Sequence, residues 1–141
     1  MSVGKICRRT VVTARPDETV KAAAQRMKQY DVGSLIVVED KRPIGIVTDR
    51  DLVLRVLAQD DVPKERDIRS LMSGNLVCVP ECTPLEDAMN LMRGYQIRRL
   101  VVVNDARELV GIFSLDDMLE LLGDEHQAIA GLLRSVRGMP D

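Results

Sequence analysis

The stretch Gly45-Ile46-Val47-Thr48-Asp49-Arg50-Asp51 decides how this chain is read, because it returns as Gly111-Ile112-Phe113-Ser114-Leu115-Asp116-Asp117. Each copy opens on a glycine, runs through two apolar residues and ends in a hydroxyl, two further residues and a carboxylate. The copies lie 111 − 45 = 66 residues apart. A hydroxyl followed three residues later by an acid is the signature of a helix start, in which each side chain bonds the other residue's backbone N–H. A strand feeding such a helix brings free N–H groups and the positive end of a helix dipole to one corner.

The duplication extends outward from these corners. Val20 to Asp40 aligns with Leu85 to Asp105 at an offset of 65, placing Ala23 on Ala88, Met27 on Met92 and Tyr30 on Tyr95. One extra residue in the second turn then moves the offset to 66. A repeat of this kind has to be found before any element is assigned. It divides the chain into a first repeat at 5–58, a linker at 59–69, a second repeat at 70–122 and a tail at 123–141.

Each repeat reads alike. A β-rich piece opens it (Thr10–Thr13, Asn75–Val79). An amphipathic helix follows, with Val20, Ala23, Ala24 and Met27, or Leu85, Ala88, Met89 and Met92, at helical spacing. Thr83, Pro84 and Glu86 predict a capping box at the second of these helices, whereas Asp17 and Thr19 compete at the first. The apolar runs Gly33–Val38 and Leu100–Val103 predict buried strands. Strands at Ile44–Val47 and Leu109–Phe113 and helices at Arg50–Ala58 and Asp116–Leu122 complete the units. The order is β-α-β-β-α, twice, which makes the chain α/β (α+β). Two helices cannot cover both faces of a sheet, so the two sheets are expected to pack on each other about a pseudo-twofold axis. In the tail, Ile129, Leu132, Leu133 and Val136 form a helical stripe suited to its own chain or to an oligomer contact.

Composition removes several functions. The first 68 residues hold 13 Lys/Arg against 11 Asp/Glu and the remainder 7 against 11, so neither half carries the basic footprint of a nucleic-acid binder. Tyr30, Tyr95 and Phe113 are too few aromatics for a base-stacking platform. No apolar run reaches the roughly 20 residues of a membrane span, and no secretory leader is evident, so a cytoplasmic protein is expected. Cys7, Cys78 and Cys82 do not make a disulfide framework, and with His126 the sole histidine they do not make a metal site. Cys78 and Cys82 read as one buried strand thiol and one loop thiol.

The duplicated unit, with its Gly-apolar-apolar-Thr/Ser-x-x-Asp corners, resembles the cystathionine-β-synthase (CBS) domain pair, or Bateman module, over residues 5–122. The resemblance implies a stand-alone regulatory module that binds an adenosine ligand (AMP, ADP, ATP, NAD or S-adenosylmethionine) in clefts between the repeats. It also implies a disc-shaped homodimer and a signal passed through that dimer or to a regulated protein partner. By the same resemblance Asp51 and Asp117 hold ribose, and Thr48 and Ser114 touch ribose or phosphate. Val12, Thr13, Val77 and Val79 then line the base. Each cleft is expected to combine one repeat's acid with the other repeat's strand start. That sets Asp51 against Arg98 and Arg99, and Asp117 against Val32, Gly33 and Ser34. An arginine pair suits a phosphate chain, so the Asp51 cleft is expected to be the tighter.

Two other classes stand beside this one. Thr48-x-x-Asp51 and Ser114-x-x-Asp117 are complete as capping boxes without any ligand, and a ligand-free interaction scaffold would carry them equally. An enzyme is disfavoured: there is no Ser/His/Asp set and no phosphate-binding glycine loop. Asp116 and Asp117, adjacent on a helix, diverge too far for a general acid/base pair.

Overall fold

The computed structural model of the protein describes residues 1–59 and 66–123. The first repeat contributes strand β1 (Thr13–Ala14), helix α2 (Val20–Tyr30), strands β2 (Ser34–Glu39) and β3 (Arg42–Thr48) and helix α3 (Asp49–Leu52). The second contributes β4 (Cys78–Pro80), α4 (Leu85–Tyr95), β5 (Arg99–Val103), β6 (Leu109–Ser114) and α5 (Leu115–Gly123). Each sheet has three strands with the same topology: β1 runs parallel to β2 and β2 antiparallel to β3, as β4 does to β5 and β5 to β6. A short helix α1 (Val3–Ile6) precedes the first repeat. The predicted helix Arg50–Ala58 is α3 followed by a π-helical turn at Val53–Leu57. The predicted tail helix lies outside the described residues.

Strand alternation explains why the runs Leu35–Val38 of β2 and Leu100–Val103 of β5 are apolar at every position. Leu35 and Val37 face α2 and α3, in a core with Ala23, Met27 and Leu52. Leu100 and Val102 face α4 in the matching core with Ala88, Met92 and Phe113. The intervening residues Ile36, Val101 and Val103 form a third core, joined by Ile46 and Ile112, in which the two sheets meet. The sheets therefore pack face to face with helices on the outer sides. Apolar side chains on both faces are what a strand buried between two layers requires.

The segment ahead of each repeat packs on the other. Val3 is fully buried in the second repeat's core, and Ile68 and Leu71, from the connecting segment, are fully buried in the first's. Arg8 and Ile112 exchange backbone hydrogen bonds of 2.8 and 2.9 Å, and Ser73 and Ile46 exchange two of 2.9 Å. Gly45 and Gly111 sit under these crossings. A Cβ at Gly111 would lie 2.6 Å from the Arg8 carbonyl oxygen, and one at Gly45 would lie 2.6 Å from Met72 Sδ. Close approach of a second backbone is a standard reason for a glycine inside a strand.

The same crossings close the helix starts. Thr19 caps α2, accepting from the Ala22 N–H at 3.1 Å, while Val20 N–H donates to Arg66 O. The predicted Thr83 capping box is absent. Pro84 is the N-cap of α4, and Leu85 N–H donates instead to Met1 O at 2.9 Å. The N-terminal segment thus supplies the acceptor for the first helical N–H of α4. Cys78, predicted to be buried, is exposed, because the inward residue of β4 is Val79.

Candidate functional site

At the first corner β3 ends at Thr48, which adopts extended geometry and caps α3. The box is complete. Asp51 N–H donates to Thr48 Oγ1 at 3.1 Å, and Thr48 N–H donates to Asp51 Oδ2 at 2.9 Å. Arg55 Nε lies 3.8 Å from Asp51 Oδ1. At the second corner Asp117 N–H donates to Ser114 Oγ at 3.1 Å. Its carboxylate turns elsewhere, accepting from Arg8 Nε at 2.7 Å.

Beside the second corner lies a cleft of about 520 Å³. Its apolar wall is the inner face of both sheets: Ile36 and Ile46 from the first repeat, Val101 and Ile112 from the second. Asn75, Leu76 and Val77 form one side, and Ile97, Arg98, Arg99, Ser114 and Asp116 the other. An apolar slot with a few polar groups at its edge is the usual form of a small-molecule site. Two exposed guanidinium groups make that edge cationic, tempered by Asp116.

The cleft gathers Val77, Arg98, Arg99 and Ser114 of the residues picked out in the sequence. It does not gather the others. Val79 is 3% exposed and belongs to the second repeat's core. Val12 and Val32 pack against the first repeat's core. Thr13 sits in β1 opposite Ile36, and its carbonyl accepts from Arg26. Asp51 and Thr48 stay with their own corner.

Each acid was expected beside the strand start of the other repeat. Gly33 O accepts from Asp49 N–H and Arg98 O from Leu115 N–H, both at 2.9 Å. Each strand start therefore lies against the corner of its own repeat, where β2 and β3, or β5 and β6, are antiparallel neighbours. Arg98 and Arg99 share their cleft with Ser114, and Asp51 is not among its lining. Across the axis, Arg99 Nη1 donates to Ser34 Oγ at 3.2 Å. Sequence reasoning missed Ile36, Ile46, Val101 and Ile112 as lining residues. Period-two alternation carried the signal: residues interleaved with the outward-facing core side chains point to the other sheet.

The CBS domain family model matches residues 3–58 and 66–124. An uncharacterized protein of Methanopyrus kandleri is 39% identical over 122 residues, covering 86% of this chain. The matched region spans 62% of that relative's length. Among solved structures, a CBS domain protein from Pyrobaculum aerophilum complexed with AMP superposes with a TM-score of 0.70 at 28% identity, covering 83% of this chain and 89% of that one. The CBS domain pair of protein MJ0100, in complex with 5′-methylthioadenosine and S-adenosyl-L-methionine, gives a TM-score of 0.73 at 26% identity, covering 89% and 98%. With both repeats matched and the same paired architecture, this chain belongs to the CBS domain family.

Proposed function

We propose that the protein is a regulatory CBS pair that binds an adenosine ligand in the cleft beside Ser114 and does so without turnover. One observation carries this reading: an apolar slot between the sheets opens onto Arg98, Arg99 and Ser114. The slot suits an adenine ring, the serine hydroxyl a sugar or phosphate oxygen, and the arginines a phosphate. AMP, ADP and ATP fit the cationic edge better than NAD or the positively charged S-adenosylmethionine. The likeness to CBS pairs solved with AMP and with adenosyl ligands supports the same class. Occupancy would be passed to a second copy or to a regulated protein. Exposed apolar side chains on the helical faces, among them Leu54 and Leu57 in one repeat and Met89 and Tyr95 in the other, support a homodimer.

Nucleotide titration tests this. Saturable binding of AMP that weakens on Arg98→Ala supports it, and no binding of any of the five adenosine compounds removes it. The scaffold reading keeps one observation in its favour: both corner acids already have protein partners, Asp51 in its capping box and Asp117 on Arg8.

A further inference from the structure

The helices on the outer sides of the two sheets carry opposite charge. In the first repeat α2, α3 and the π-helical turn Val53–Leu57 hold five Lys/Arg against two Asp/Glu. In the second, α4 and α5 hold one Arg against five Asp/Glu. The difference lies at equivalent positions of the duplication: Lys21 matches Glu86, Ala22 matches Asp87 and Arg50 matches Asp116. Lys21, Lys28 and Arg50 are exposed on the first set of helices, and Glu86, Asp87 and Glu120 on the second. Large apolar side chains lie open on the same helices. Tyr30, Leu54 and Leu57 are exposed in the first repeat, and Met89, Tyr95 and Leu121 in the second.

We propose that a second copy of this chain docks with unlike faces together, its acidic second-repeat helices on the basic first-repeat helices, so that a closed pair makes this contact twice. This rests on the homodimer in the reading above and adds its orientation.

The apolar side chains give each face a reason to be covered, and the charges choose what covers it. A twofold pair must be self-complementary: what the first face meets on its partner's second face, the second face must meet on its partner's first. Two faces of opposite sign satisfy this when unlike faces meet, with attraction at both contacts. Like faces together would set base against base at one contact and acid against acid at the other, and such juxtaposition is costly. Arg93, the counterpart of Lys28, is the exception on the acidic side. The arrangement also has a consequence for the cleft. Helix α5 follows Ser114 directly and contributes Asp116 to the cleft lining, so the face that meets the partner's first repeat is continuous with the adenosine site.

The test is sedimentation equilibrium of the full chain at about 50 mM and about 500 mM salt, the second enough to screen charges beyond a few ångströms. A Lys21→Glu, Lys28→Glu double variant is measured beside it at low salt, after melting curves establish that it folds. The wild-type salt comparison needs no variant. The unlike-face pair predicts a wild-type dimer whose dissociation constant rises about tenfold or more with salt. It predicts a similar weakening in the double variant, and recovery to within about threefold when Glu86→Lys and Asp87→Lys are added to the same chain. A dimer that tightens or stays unchanged in either comparison would overturn the orientation while leaving the homodimer standing. A chain that is monomeric at both salt concentrations would overturn the orientation and the homodimer together.

Discussion

Arg99 Nη1 donates a 3.2 Å hydrogen bond to Ser34 Oγ, although the two residues hold the same place in the two repeats. Symmetry-equivalent positions thus meet at the pseudo-axis with different chemistry, an arginine against a serine. The cleft beside Ser114 receives both arginines, and the first repeat offers only Gly33 and Ser34 at the equivalent positions. Binding should be asymmetric for that reason. Arg98→Ala should weaken AMP about tenfold or more, the scale of one charge-assisted hydrogen bond. Asp51→Asn, outside the cleft, should change Kd less than twofold. Equal losses in calorimetric titrations of the two variants would contradict the asymmetry.

The motif glycines should differ in stability cost. At Gly111 an added methyl meets the Arg8 carbonyl oxygen at 2.6 Å, a backbone atom held in a two-bond bridge. At Gly45 the nearest atom is Met72 Sδ, the end of a flexible side chain, with the Ser73 carbonyl at 3.0 Å. Gly111→Ala should therefore cost about 2 kcal/mol or more by overpacking, and Gly45→Ala less. Urea denaturation of both variants measures this. A larger loss at Gly45 would mean that backbone approach is not what requires the glycine.

Thr48 and Ser114 share a sequence role and should separate in function. Thr48→Ala removes one half of a complete capping box and should lower stability by about 1 kcal/mol with little effect on AMP affinity. Ser114→Ala should do both, losing the cap on Asp117 N–H and a cleft hydroxyl. Melting curves paired with titrations of the two variants distinguish the outcomes.

Burial raises the Cys7 thiol above its ordinary value of 9.0, against a lowering influence of Arg9. The folded state thus favours the neutral thiol. This contribution to stability is complete below pH 9.0 and is lost as pH rises through the higher folded value, because the unfolded chain ionises first. Cys7→Ala should flatten the fall in melting temperature between about pH 8 and pH 10 relative to the wild type. Parallel curves for the two proteins would contradict it.

Much of the fold was legible because the chain states it twice. A single Leu35–Val38 run is ambiguous between strand and buried helix, but its return as Leu100–Val103 between the same helix and the same glycine corner removes the ambiguity. The crossings were not legible. Backbone bridges such as Arg8–Ile112 leave no side-chain pattern, and their only trace is the glycine beneath each. The Thr83 box failed because α4 starts one residue later, with Pro84 as its N-cap, and the first helical N–H, at Leu85, donates to Met1 O, distant in sequence. At the site, Ser114 and the arginines could be picked out by residue type, whereas their grouping in one cleft depended on which strand neighbours which. Val79 lies two residues beyond Val77 and is buried in the second repeat's core, so only Val77 of the pair reaches the cleft.

The most direct test is thermal melting of the full chain with millimolar AMP, in the wild type and in Arg98→Ala. A ligand at about 100 times its Kd adds roughly 2.7 kcal/mol to stability, a rise of several degrees for a domain of this size. The account predicts that rise in the wild type and most of it lost in the variant. No rise in the wild type, with AMP or with any other adenosine compound, would contradict the claim that this cleft is a ligand site.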